Sequence, residues 1–112
     1  MTSSATLWKQ VHHNTSRDTI VRYLKSVAAE ANQLGVDRLV VVGNYLGPGA
    51  RFPQTYGEQL ADNVTYALAS QDWIEGESEP ALDELLGIAS QLVRNVGDAS
   101  LWRLLLEKIE DV

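Results

Sequence analysis

The strongest constraint on this chain is a series of apolar stripes at helical spacing, several of them opened by capping residues and closed by glycine. Thr15-Ser16-Arg17-Asp18 has the form of a capping box, in which a hydroxyl binds an amide three residues on and a carboxylate reaches back. Beyond it, Ile20, Leu24, Val27, Ala31 and Leu34 recur at four-three spacing, which predicts a helix from about 16 to 34 that Gly35 ends. A second box, Thr55-Tyr56-Gly57-Glu58, predicts a helix to about 70 with Leu60, Val64, Ala67 and Leu68 facing inward. Ser78-Glu79-Pro80 marks a third start, because a first-turn proline lacks only an amide that has no helical partner there. Leu82, Leu85, Leu86, Ala89, Leu92, Val93 and Val96 then form a wide stripe ended by Gly97. Gly87 lies within that stretch, and its cost of about 1 kcal/mol relative to alanine predicts close packing of another backbone. Asp98 caps a last helix whose inward residues are Leu101, Trp102, Leu105 and Ile109. Leu7, Trp8 and Val11 add a short first helix over 4–13.

Residues 36–46 fit two structures. Arg38-Leu39-Val40-Val41-Val42 is β-branched and follows a helix ending in glycine, which favours a buried strand. The alternative is a buried helix with Val36, Leu39, Val40, Gly43 and Leu46 on its apolar face. A lone strand needs a hydrogen-bonding partner, so an extended 38–42 requires pairing with residues 5–11 or with a second copy. Residues 44–53, with Gly47-Pro48-Gly49, read as a loop because proline and two glycines continue neither element. The expected fold is mainly α: a compact bundle of four to five helices, with room for one short extended segment near residues 38–42. Its expected core is Leu24, Val27, Leu60, Val64, Leu85, Leu86, Leu92, Leu105 and Ile109.

At 112 residues the chain suits a single helical domain spanning 1–112 and is too short for two cores of ordinary size. Apolar residues make up 45% and charged residues 21%, which supports a folded rather than a disordered chain. The absence of cysteine excludes disulfides and thiolate metal sites and fits a reducing compartment, so cytoplasmic location is the expectation. No apolar run approaches the roughly 18 residues that cross a bilayer, so no membrane partner is expected.

Motifs for chemistry are sparse. His12 and His13 are the only histidines, and neighbours on a helix diverge by about 100°, so they do not converge on one metal ion. Gly43 to Gly49 follows an apolar segment as phosphate-binding loops do, yet it lacks both the dinucleotide glycine spacing and the Gly-Lys-Ser/Thr of a Walker loop. There is no cysteine and no Gly-x-Ser-x-Gly nucleophile elbow. The sequence therefore supports no catalytic, cofactor or metal residues, and leans away from an enzyme.

Charge is the remaining signal. Residues 1–57 carry six basic and three acidic side chains, whereas residues 58–112 carry three basic and twelve acidic ones. The net charge of −6 disfavours nucleic acid, which is bound through clustered Lys and Arg. Asp72, Trp73, Glu75, Glu77, Glu79, Asp83 and Glu84 combine an aromatic with six carboxylates, a composition that suits a protein contact or, more simply, a solvated helix start. Arg17, Arg22, Lys25, Arg38 and Arg51 are its electrostatic counterpart, and two unlike patches allow head-to-tail self-association. The leading expectation is a non-enzymatic protein-protein interaction module, an adaptor or recruitment domain binding a protein partner or itself. The alternatives are a small enzyme or ligand binder using the Gly43–Gly49 loop, and an acidic inhibitor of a partner with a basic site.

Overall fold

A computed structural model describes residues 4–13, 16–40, 56–70 and 79–112; for His13 it describes the backbone alone. Six helices lie in these segments: α1 Ser4–His13, α2 Arg17–Leu34, α3 Val36–Leu39, α4 Tyr56–Ala69, α5 Pro80–Arg94 and α6 Ala99–Glu110. No strand occurs among the described residues, and none of the helices is long and apolar enough to cross a membrane. The fold is a mainly α helical bundle. α4 packs on α5, α5 on α6 and α1 on α2, while α3 touches α2, α4 and α6.

The apolar stripes become the core. Ile20, Leu24 and Val27 of α2 are buried with Leu60, Val64 and Leu68 of α4, Leu82, Leu85 and Leu92 of α5, and Trp102, Leu105 and Ile109 of α6. Of the expected core, only Leu86 is partly exposed. Leu34 and Val93, placed on buried stripes by their spacing, are instead 38% and 42% exposed. Both lie in the last turn of a helix.

Local chemistry sets the helix ends, with some differences from the sequence reading. The α2 cap is Ser16, whose Oγ accepts from the Thr19 amide at 3.3 Å; Thr15 lies outside the described residues, as does Thr55. Gly35 closes α2 at φ +95°, a left-handed conformation that side chains resist, and its N–H bonds the Ala31 carbonyl at 2.9 Å. Asp98 caps α6 as expected, its Oδ1 accepting from the Ser100 and Leu101 amides at 2.9 and 3.2 Å. α5 ends at Arg94 with Asn95 as its cap, before Gly97.

The expected strand is overturned where the segment is described. Residues 36–39 form a helical turn, and the Val40 N–H bonds the Val36 carbonyl at 3.2 Å; residues 41 and 42 lie outside the described set. After the reversal at Gly35, one turn brings Leu39 to full burial and places Val36 and Val40 against the same core, so tertiary burial outweighs β propensity. α4 meets this turn closely. A Cβ added at Gly57 would lie 2.9 Å from the Leu39 carbonyl carbon and nearer still to its oxygen. The close approach expected of Gly87 is not found: its position on α5 is exposed, and no described atom lies within 4 Å of a Cβ built there.

Candidate interaction surface

The two charged halves of the sequence meet in space. Arg17 at the start of α2 donates from Nε and Nη2 to Oε2 and Oε1 of Glu79, just before α5, at 2.6 and 2.9 Å. This bidentate pair holds the Glu79 carboxyl below the usual range and raises the already high Arg17 value. Glu84 pairs with Lys108 of α6 at 3.1 Å, entirely within the acidic half. Asp83 is exposed beside it on α5. Arg22 and Lys25 are exposed on α2 and Arg38 on α3. The structure therefore joins Arg17 to Glu79, and Arg22 and Lys25 stand three residues apart on α2. Arg51, Asp72, Trp73, Glu75 and Glu77 lie outside the described residues, as does the Gly43–Gly49 loop.

A different surface is assembled where α1, α2 and α4 meet. Along α4, Tyr56, Gln59, Asn63 and Tyr66 follow three-four-three spacing and share one side. Along α1, Ser4, Trp8 and His12 recur every four residues beside the buried Leu7 and Val11. Trp8 is the centre of an aromatic cluster: its ring centroid is 4.6 Å from His12, 5.3 Å from Tyr23 and 5.4 Å from Tyr66. His12 and Tyr66 also stack, at 5.2 Å. Tyr23 is buried beneath, Trp8 is half-buried, and Tyr66 is 51% exposed. His12, weighed from sequence as a metal ligand, packs on two aromatic rings, and no group of three metal-binding side chains occurs among the described residues.

Glu30 fastens the upper end of this surface. Its Oε1 accepts from the Ser4 amide at 2.8 Å, and its Oε2 accepts from the Ser4 hydroxyl at 2.5 Å and the Tyr56 hydroxyl at 3.0 Å. One carboxylate of α2 thus caps the start of α1 and anchors the first residue of α4. Burial pushes the Glu30 carboxyl up, but the hydrogen bonds from Ser4 and Tyr56 together outweigh it and hold the group below its ordinary value. Burial also pushes the Tyr23 phenol up, opposed by a hydrogen bond with Asn63.

Neither Glu30 nor the aromatic cluster was singled out from the sequence. Glu30 had a signal: it falls between Val27 and Leu34 at three-four spacing on α2, where a carboxylate requires partners. Two grooves flank Tyr56. One of about 430 Å³ includes Glu30, Gln33 and Leu34, and one of about 210 Å³ includes Ser4, Trp8, Tyr23 and Asn63. The result is a band of aromatic side chains with a polar rim, running from Leu34 past Tyr56 to Trp8 and Tyr66. In comparisons with known proteins the chain matches no family, no curated protein and no solved structure.

Proposed function

We propose that the chain is a non-enzymatic protein interaction module, an adaptor or recruitment domain, and that it makes contact through the α1–α4 face. The observation that carries this reading is the Trp8–His12–Tyr66 cluster, which leaves large aromatic side chains at the surface while Leu7 and Val11 of the same helix fill the core. Aromatic residues dominate the energetic centres of protein contacts, and a rim such as Gln59, Asn63 and Glu30 supplies polar edges. The partner is a protein, either a second copy or another chain. The net charge of −6 opposes nucleic acid, and the lack of cysteine suits a cytoplasmic setting.

Charge acts here as a secondary determinant. Arg17 and Glu79 already satisfy each other within the chain, so head-to-tail pairing of the two halves would fall to Arg22, Lys25 and Arg38 against acids of another copy. Light scattering of the purified chain, alone and mixed with an extract of its source cells, tests the module. A larger species should form in at least one condition, and Tyr66→Lys should return the chain to monomer. A chain that stays monomeric in both conditions contradicts the module. A larger species indifferent to Tyr66→Lys but lost on charge reversal at Arg22 and Lys25 moves the contact to the charged surfaces.

A further inference from the structure

α1 and α4 both pack on α2, and the smaller groove lies between them with the buried Tyr23 of α2 in its lining. Trp8 from α1 and Tyr56 from α4 supply aromatic surface, and the Tyr23 phenol bonds with Asn63. Its volume of about 210 Å³ is below the roughly 300–1,000 Å³ of sites that enclose a drug-sized ligand. That size suits one side chain presented by a larger partner.

Charge in this groove has one sign. Among the described residues Lys9 alone brings a charge to the lining; it is exposed and forms no ion pair with any of them. Glu30 lies outside that lining and its oxygens are taken, Oε1 by the Ser4 amide and Oε2 by the Ser4 and Tyr56 hydroxyls. Those bonds gather at the Ser4 end of α1, and Lys9 stands five residues on, about 7.5 Å further along the helix axis. Gln59 and Asn63 of α4 add side-chain amides that can donate beside it. An incoming lysine or arginine would meet the Lys9 ammonium, and a wholly apolar group would strip water from it with nothing in exchange. We infer that this groove receives an acidic segment of a partner protein: an apolar side chain enters between Trp8 and Tyr56, and a carboxylate next to it in the segment pairs with Lys9. The net charge of −6 opposes such a segment at long range, but salt screens that field beyond about 8 Å and leaves the contact pair inside it. Apolar contact then supplies most of the affinity, and Lys9 selects the sign of the neighbour.

This inference rests on the reading of the α1–α4 face as a contact surface, and it has its own test. Three blocked peptides, alike except that a central leucine is flanked on both sides by glutamate, glutamine or lysine, are titrated into the full chain. The Trp8 indole and the Gln59 and Asn63 side-chain amides are followed by nuclear magnetic resonance, with the indole of the buried Trp102 reporting that the fold is intact. The glutamate peptide should shift the groove signals saturably, and the glutamine peptide should bind about threefold more weakly, as loss of an exposed ion pair allows. Replacing the central leucine by alanine should weaken the glutamate peptide about tenfold. Lys9→Glu, at an exposed position, should invert the order, so that the lysine peptide binds best. Equal binding of the glutamate and glutamine peptides, an order unchanged by Lys9→Glu, or indifference to the central leucine overturns the inference. If the chain forms a larger species through Tyr66 but shows no preference for the acidic peptide, the groove assignment fails and the module stands. If the acidic peptide binds as described but the chain forms no complex, the groove assignment stands and the module fails.

Discussion

Trp102 in α6 has no exposed surface, and its indole N–H donates to the Val96 carbonyl at 3.0 Å, so rings and polar handle are both satisfied inside the fold. Trp8 in α1 is half-buried, and its ring contacts are to Tyr23, to His12 and to the exposed Tyr66. The α5–α6 hairpin buries Leu82, Leu85, Ile88, Leu92, Trp102, Leu105, Leu106 and Ile109 and leaves Val93 and Leu104 exposed. The α1–α4 face holds Trp8, Tyr56 and Tyr66 outside the fully buried core, with Tyr56 and the start of α1 tied to Glu30 by hydrogen bonds and Trp8 and Tyr66 held by ring contacts. The difference separates residues that make the fold from residues that the fold presents.

The widest gap should appear on truncating the two tryptophans. Trp102→Ala should cost about 3–5 kcal/mol of unfolding free energy, as loss of a fully buried aromatic does, and Trp8→Ala only about 1–2 kcal/mol. Chemical denaturation of both variants measures it, and equal losses would erase the distinction between the two regions. Gly57→Ala should follow, at about 1–3 kcal/mol, because the new methyl would meet the Leu39 backbone, which cannot move aside as a flexible side chain can.

Acid sharpens the comparison at Glu30. Its folded value lies below its unfolded one, so its contribution is complete above the ordinary carboxylate range and is lost as pH falls through the folded value. The stability difference between the wild type and Glu30→Gln should therefore stay constant near neutrality and shrink as pH falls below about 4.5, the ordinary glutamate value. A gap that does not depend on pH would mean that the carboxylate charge does not hold α1 and α4. The smallest effect has the opposite sign: Gly87→Ala should stabilise by about 0.5–1 kcal/mol, since helix propensity improves and the added methyl meets open space.

Much of the fold was legible because its information is local. Helical spacing and caps located five helices, with α1 matching its expected 4–13 span and α2 differing by one residue at its start. α3 was misread as a strand because Arg38-Leu39-Val40 carries β propensity, whereas the demand for a helical turn comes from burying Leu39 after the reversal at Gly35. Gly57 and Gly87 show the same limit: which glycine a neighbouring backbone approaches depends on how helices cross, and the crossing occurs at Leu39. The charge split does not tell which charges pair within the chain: Arg17 and Glu79 stand 62 residues apart and yet touch. Trp8, His12 and Tyr66 could each be read singly, but their convergence depends on how α1 and α4 are placed around α2. Glu30 was the one member of the surface that its helical register alone marked as unusual.

The most direct measurement is the crosslinking yield from a photoreactive side chain at position 66, compared with the same group at the exposed position 91 on α5, in the source cells. The account predicts a discrete protein adduct from position 66 and far less from position 91. Equal yields, or an adduct from position 91 alone, would contradict the claim that the α1–α4 face is the surface this fold presents to a partner.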